Sequence, residues 1–187
     1  MKTKNRRHLR HKEKSLGKEL WSWYLNKGPI FQFGLKFSLL VALFYLFSMA
    51  PFCQSTLYPA YLKANARASS VILNYFGQHC SVMGQTIQSP KFSIIVSQGC
   101  DAVESSWFLC AAIFAFPAPF TRKLPAVLIG IILLQPLNLA RLVTLFLIGV
   151  YYPLLFETAH IEVWPVVFIL VIISFWMGWL KWIKDRT

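Results

Sequence analysis

Apolar residues fall into four blocks along this chain, and polar residues concentrate in the segments between them. The blocks cover residues 30–52, 103–118, 124–150 and 163–180. A helix needs about 20 mainly apolar residues to cross the hydrocarbon core of a bilayer, and the blocks are of that order. The pattern predicts an all-α integral membrane protein with about four transmembrane helices.

The longest polar segment, residues 53–102, carries two further patterns. Its first half repeats apolar residues at helical spacing, which predicts an amphipathic helix lying in the membrane interface. Those residues are Tyr58, Tyr61, Leu62, Ala68, Ile72, Tyr75 and Phe76. After Gly77 the pattern alternates at Phe92, Ile94 and Val96. With breaks at Gly84 and Pro90, this alternation predicts a short β-hairpin.

The distribution of charge predicts on which side of the membrane each segment lies. The net charge is +12, and residues 1–27 carry nine Lys and Arg against Glu13 and Glu19. A basic tract of this kind can bind nucleic acid, but basic residues beside a first membrane span also hold that end in the cytoplasm. We adopt the second interpretation: residues 1–29 form a basic cytoplasmic segment, residues 30–187 form one membrane-embedded domain, and no nucleic acid is bound.

The other basic residues agree with this orientation. Arg122 and Lys123 lie between the second and third blocks, and more Lys and Arg follow the fourth. Four spans from a cytoplasmic amino terminus place both of these segments inside. Residues 53–102 and 152–162 are then expected on the outer side, and the carboxyl terminus in the cytoplasm.

One ionisable residue interrupts the third block. Arg141 follows Gln135 and Asn138 at helical spacing, so the three form a loose polar stripe. A charge inside a span costs several kcal/mol unless it is paired or hydrated, which makes it a functional candidate. Seventeen residues of helix from Leu124 rise about 26 Å, which places Arg141 in the outer leaflet.

Two further reactive side chains are expected at the same depth. Cys100 precedes the second block and His160 precedes the fourth, both on the outer side. A histidine can take a proton from a thiol and return it to a leaving amine. An arginine can stabilise a thiolate or an oxyanion. The three residues predict thiol-based cleavage of a peptide bond.

The order of these motifs is similar to that of a known family. GCDAVE around Cys100, NLAR ending at Arg141, and a histidine before VWPVVF resemble the exosortase/archaeosortase family, and most of all its short H-type exosortases from Gram-negative bacteria. The resemblance covers about residues 58–180. It implies that Cys100 is the nucleophile, Arg141 the second catalytic residue and His160 the third. Many relatives have glycine where this chain has Ala102.

The resemblance also implies a function. The substrates would be exported proteins whose C-terminal sorting signal combines a short motif, a transmembrane helix and a basic tail. Cleavage would occur at the outer face of the bacterial inner membrane, and an unknown acceptor or water would receive the product. We expect Asn138 and Glu104 to contact substrate. No cofactor or metal is expected, since the sequence has no HExxH and no zinc-type spacing.

The nucleophile has less reactive interpretations. Cys100 could instead pack in the core or form a disulfide with Cys53 or Cys80 on the oxidising outer side; those two could also pair with each other and leave Cys100 free. Cys110 lies within the second block and is expected to be a packing residue.

The other two residues also have alternatives. Arg141 could merely snorkel in the outer leaflet or be a structural partner of Glu157 or Glu162, and His79 could be the base of a different pair with the adjacent Cys80. Asp101 and Glu104 are expected to be solvated loop acids unless they orient His160 or contact substrate. The alternative function is a non-enzymatic transport or assembly subunit, in which the polar stripe around Arg141 lines a path or a helix interface.

Overall fold

A computed structural model describes residues 28–186, and its main elements are five helices and a small sheet. The helices are α1 (Pro29–Ser48), α2 (Tyr58–Tyr75), α3 (Val103–Ala115), α4 (Phe120–Tyr151) and α5 (Trp164–Lys184). The strands are β1 (Ser81–Met83), β2 (Thr86–Gln88) and β3 (Ser93–Ile95). A π-helical turn, Cys53–Leu57, precedes α2, and three short turns spanning Pro153–Leu155, Phe156–Thr158 and Ala159–Val163 lead into α5. Residues 1–27 of the predicted basic segment (residues 1–29) lie outside the described residues.

Three helical stretches of the described chain are long and apolar enough to cross a membrane: Pro29–Ser48, Phe120–Tyr151 and Pro153–Lys184. The mostly helical membrane fold is therefore confirmed, but the predicted count of four spans is not. The second predicted span is α3, which has 13 residues and rises only about 20 Å. It ends early because Phe116 precedes Pro117 and adopts an extended conformation (ψ 139°), as residues before proline usually do.

The short helix α3 packs against the three longer ones, α1, α4 and α5, and keeps one side open at Glu104 and Phe108. Trp107 Nε1 donates to the carbonyl oxygen of Leu40 on α1 at 3.0 Å. On the opposite side, a Cβ on Gly130 of α4 would lie 2.4 Å from Leu109 Cδ2, so glycine is what lets α3 and α4 approach closely. These contacts fix the helix whose amino-terminal end follows Cys100.

The predicted amphipathic helix is present as α2, but its buried face coincides only in part with the predicted apolar stripe, sharing Leu62. Its buried residues include Leu62, Ala66, Ser69 and Leu73, spaced four, three and four apart as one helix face requires. Tyr75 is 90% exposed, so the bulky aromatic residues at its end do not form the packed stripe. Small residues on the buried face allow α2 to lie against α4 and the sheet.

The sheet has three antiparallel strands in the order β1-β2-β3 instead of the predicted two-stranded hairpin. Gly84 (φ +63°) forms the first turn and Pro90 lies in the second, so both predicted breaks are turns; the additional strand is Ser81–Met83. The Phe92 ring fills the space above Gly149 of α4, where a Cβ would lie 2.3 Å from the ring. The sheet is thereby held at one end of α4, where it delivers the chain to Cys100.

Candidate active site

Cys100 lies in a tight turn between β3 and α3. Its backbone N–H donates to the carbonyl oxygen of Ser97 at 3.0 Å, and Gly99 takes the left-handed conformation (φ +85°) that glycine adopts without strain. Ala102 has φ −79°, so the alanine in place of the glycine of many relatives needs no left-handed backbone. The turn holds Cys100 just before the first turn of α3.

His160 meets Cys100 across sixty residues of sequence. Its Nε2 lies 3.0 Å from Cys100 Sγ, a distance suited to proton transfer between a thiol and a base. His160 belongs to the π-helical turn Ala159–Val163, and its ring packs 5.8 Å from that of Phe156, centre to centre. Cys100 is buried, while His160 is only half-buried.

Arg141 completes the cluster from α4. Its Nη1 donates to the carbonyl oxygen of Gly99 at 3.3 Å, and its guanidinium carbon lies 5.8 Å from the ring centre of Phe168, within cation–π range. The side chain is 7% exposed and close enough to Cys100 and Asp101 to interact electrostatically with both. Its Nε has no hydrogen-bond partner within residues 28–186. A buried guanidinium with an uncommitted donor thus lies beside the thiol.

Asp101 is buried, contrary to the expectation of a solvated loop acid. It is 4% exposed, and within the described chain neither carboxylate oxygen has a hydrogen bond of normal geometry. Burial raises the pKa of this carboxyl from 3.8 to about 6, and the Glu104 charge adds to the effect, although backbone N–H groups nearby oppose it. Asp101 makes no hydrogen bond to His160, so it does not orient the imidazole.

The raised pKa of Asp101 predicts a measurable effect on stability. The protein gains stability from the neutral acid below about pH 4 and loses it as the pH rises through about 6, because the folded state disfavours the carboxylate. The difference between 3.8 and about 6 corresponds to about 3 kcal/mol. We therefore expect the thermal midpoint of Asp101→Asn in detergent to rise relative to the unsubstituted protein between pH 4 and pH 7.

Only the difference between the two proteins tests this prediction, because their other ionisable groups are the same. Melting curves that stay parallel across this pH range would contradict it. A matched control is Glu104→Gln, which removes an exposed carboxylate and is expected to change the profile much less.

The two predicted substrate-binding residues lie in different environments. Asn138 has no exposed surface, and its Nδ2 donates to Asn65 Oδ1 on α2 at 3.2 Å. Gln135, from the same stripe, accepts from Tyr61 Oη at 2.7 Å. These contacts join α2 to α4. Glu104, by contrast, is exposed in the first turn of α3, four residues after Cys100.

The inward-facing polar residues of α2 were missed by sequence reasoning, which searched that helix only for apolar periodicity. Asn65 lies four residues after Tyr61, and its Nδ2 donates to the Tyr61 carbonyl oxygen at 3.1 Å. A polar residue on the buried face of a helix usually has a hydrogen-bond partner. The polar side chain of Asn65, one helical turn after Tyr61, was therefore the sequence signal for these inward-facing residues.

The other candidate residues from the sequence make no side-chain hydrogen bond, among residues 28–186, to Cys100, Arg141 or His160. All four cysteines are free and buried. Glu157 and Glu162 are exposed, whereas Arg141 is buried against Gly99 and Phe168. Within residues 28–186, no group of three His, Cys, Asp or Glu side chains is placed to hold a metal ion.

Comparison with known proteins gives one match. A family model described as transmembrane exosortase matches residues 30–178, which is most of the 187-residue chain. No curated protein and no solved structure gives a significant match. The matched region contains Cys100, Arg141 and His160.

Proposed function

Because this chain belongs to the transmembrane exosortase family, we propose that it is a membrane-embedded cysteine protease and transpeptidase that cleaves C-terminal sorting signals from exported proteins. The observation that carries the proposal is the 3.0 Å separation of Cys100 Sγ and His160 Nε2. Two residues sixty positions apart meet at the distance that a nucleophile and its base require.

The first half of the reaction transfers the substrate to the enzyme. His160 takes the thiol proton, and the Cys100 thiolate attacks the scissile carbonyl carbon to form a tetrahedral oxyanion. His160 then returns the proton to the leaving amine as the C–N bond breaks. The products are a thioester on Cys100 and a released C-terminal fragment that contains the transmembrane anchor.

The second half releases the exported protein. An acceptor amine, or water, loses a proton to His160 and attacks the thioester carbonyl, and the thiolate leaves. The new bond joins the protein to the acceptor, or yields a free carboxyl group when water attacks. No redox partner is needed, because acyl transfer changes the oxidation state of neither the carbonyl carbon nor the sulfur, and the proton taken up by His160 returns to Cys100.

Arg141 is proposed to stabilise the oxyanion. One of its donors binds the Gly99 carbonyl, while Nε remains uncommitted within the described residues. A fixed cation in a site with little water interacts strongly with developing negative charge. Asn138, held by Asn65, is proposed to support Arg141 from the preceding turn of α4, and Glu104 to contact substrate.

The reaction is proposed to occur at the outer face of the bacterial inner membrane. Arg122 donates to the carbonyl oxygens of Ile183 and Arg186, so the basic ends of α4 and α5 lie together. Cys100 and His160 precede the opposite ends of α3 and α5. Basic residues favour the cytoplasmic side, which supports an outer position for the reactive end.

The packing of the polar stripe favours this function over a transport or assembly subunit. A transport path needs polar groups that face a wet cavity. Gln135 and Asn138 instead bond to Tyr61 and Asn65 inside the protein.

The function is tested by removing the chain from the cell that makes it. We expect a set of membrane-anchored exported proteins to accumulate with intact C-termini, and restoration of this chain to return them to the cleaved form. Mass spectrometry of C-terminal peptides in the membrane fraction measures both. Identical C-termini with and without the chain would refute the proposal.

A further inference from the structure

An apolar groove runs along the helices next to the proposed active site. It lies between α1, α3 and α5 and has a volume of about 450 Å³. Its lining includes Phe33, Phe37, Phe108, Ala112, Phe168 and Trp176, and its polar residues are Glu104 and Ser105. The groove is therefore almost wholly apolar except at one end.

The polar end of the groove lies beside the active site. Glu104, four residues after Cys100 in the sequence, is at this end, and Phe168 both lines the groove and lies under the Arg141 guanidinium. The nine residues of α3 from Glu104 to Ala112 extend about 12 Å along the groove. At the far end, Phe33 and Trp176 approach to 5.9 Å between ring centres and narrow the groove.

We infer that this groove binds the outer half of the transmembrane anchor of the protein substrate. The inference rests on the proposed function and adds to it the binding site of the substrate's transmembrane anchor. A helix in the groove would continue towards its amino terminus past Glu104, and the chain preceding it would reach Cys100. The scissile bond would then lie just beyond the membrane end of the anchor.

Charge complementarity supports a helix as the occupant. The first turn of a helix has N–H groups without internal partners and carries the positive end of the helix dipole. The exposed Glu104 carboxylate lies where that turn would enter and can accept hydrogen bonds from it. A phospholipid tail in the groove would bring its phosphate towards the same carboxylate, and these like charges repel.

The floor of the groove also suits a helix. Ala112 provides a small residue among aromatic neighbours, and small residues let helix backbones approach closely in membranes. An arriving helix would place its larger side chains over Ala112 and against the rings of Phe37, Phe108 and Phe168.

Photo-crosslinking tests where the anchor lies. The probe is the membrane-anchored protein that accumulates uncleaved when this chain is removed, and the enzyme carries Cys100→Ala so that the complex persists. A photo-reactive amino acid at Phe108, in the groove, is expected to crosslink to the anchor. The same group at Ile132, an exposed position of α4 outside the groove, is expected to crosslink to lipid. Crosslinks from Phe108 to lipid alone would overturn the inference.

Filling the groove provides a kinetic test. We expect Ala112→Trp to raise KM for this anchored protein by about ten-fold or more with kcat nearly unchanged, whereas the matched Ile132→Trp leaves both unchanged. Glu104→Ala is expected to raise KM by a few-fold, and Glu104→Gln by less because an acceptor remains.

The two hypotheses fail in different ways. If the chain cleaves the anchored protein and Ala112→Trp behaves like Ile132→Trp, the groove assignment is wrong and the proposed function stands. If no anchored protein is cleaved by the unsubstituted chain, the proposed function fails and the groove assignment fails with it.

Discussion

The Cys100→Ala variant is expected to leave every substrate uncleaved while it is produced and inserted normally. The alanine keeps the turn, because Ser97 and Gly99 hold Cys100 through its backbone, but it removes the sulfur atom that would form the thioester. Loss of a nucleophile lowers the rate by roughly 10⁴-fold or more in comparable enzymes. The measurement is the fraction of cleaved C-termini per amount of enzyme in the membrane.

The control for this variant is Cys53→Ala. Cys53 is also a free, buried cysteine, but it lies in the π-helical turn before α2. Processing should persist in Cys53→Ala at similar levels of protein. Cys100→Ser keeps a weaker nucleophile beside His160 and is expected to retain a small residual rate. Full processing by Cys100→Ala would exclude the thiol mechanism.

Loss of the imidazole at position 160 is expected to lower processing by about 10²- to 10⁴-fold, the usual contribution of a positioned acid–base group. His160→Ala removes the base from its place 3.0 Å from the thiol and leaves Arg141 on α4. We expect added imidazole to restore part of the activity of His160→Ala, because a small base can occupy the space left behind. A purely structural role would give no such rescue.

The matched control replaces the other outer histidine that was considered as a base. His79 is exposed and adopts a left-handed conformation (φ +48°), so His79→Asn is chosen because asparagine tolerates that backbone. This variant should process normally. If His79→Asn were inactive and His160→Ala active, the Cys80/His79 pair would have to replace the one proposed here.

Replacing Arg141 by lysine separates the effect of its positive charge from that of its hydrogen-bonding geometry. Arg141→Lys keeps a cation but loses the planar fork that binds the Gly99 carbonyl, and lysine presents a compact point charge instead. We expect it to lose less activity than His160→Ala.

Sequence patterns singled out three side chains that the structure brings close together, and their catalytic roles stay a prediction. Arg141 was indicated because it is a charge within an apolar block, and the orientation predicted from basic loops placed Cys100 and His160 at its depth. Their distances depend on tertiary packing, chiefly on the tight turn at Gly99 and the π-helical turn that carries His160. Neither turn has a periodic signal.

Other features were beyond sequence reasoning for identifiable reasons. The burial of Asp101 depends on how the Ser97–Cys100 turn packs, whereas an acidic residue next to a polar segment is expected in solvent. The limited length of α3 follows from Phe116, whose conformation is restricted by the next residue. The buried face of α2 uses Ala66 and Ser69, which apolar periodicity does not detect.

The shortness of α3 has a consequence for the membrane itself. A helix of about 20 Å does not match a hydrocarbon layer of about 30 Å, and such hydrophobic mismatch is relieved by local thinning of the bilayer. Where α3 is open to lipid, along the groove between α1 and α5, the membrane surface would therefore dip towards Cys100. Water and a polar acceptor would reach the thioester from this depression, while α4 and the helical stretch that includes α5 are long enough to cross a layer of ordinary thickness.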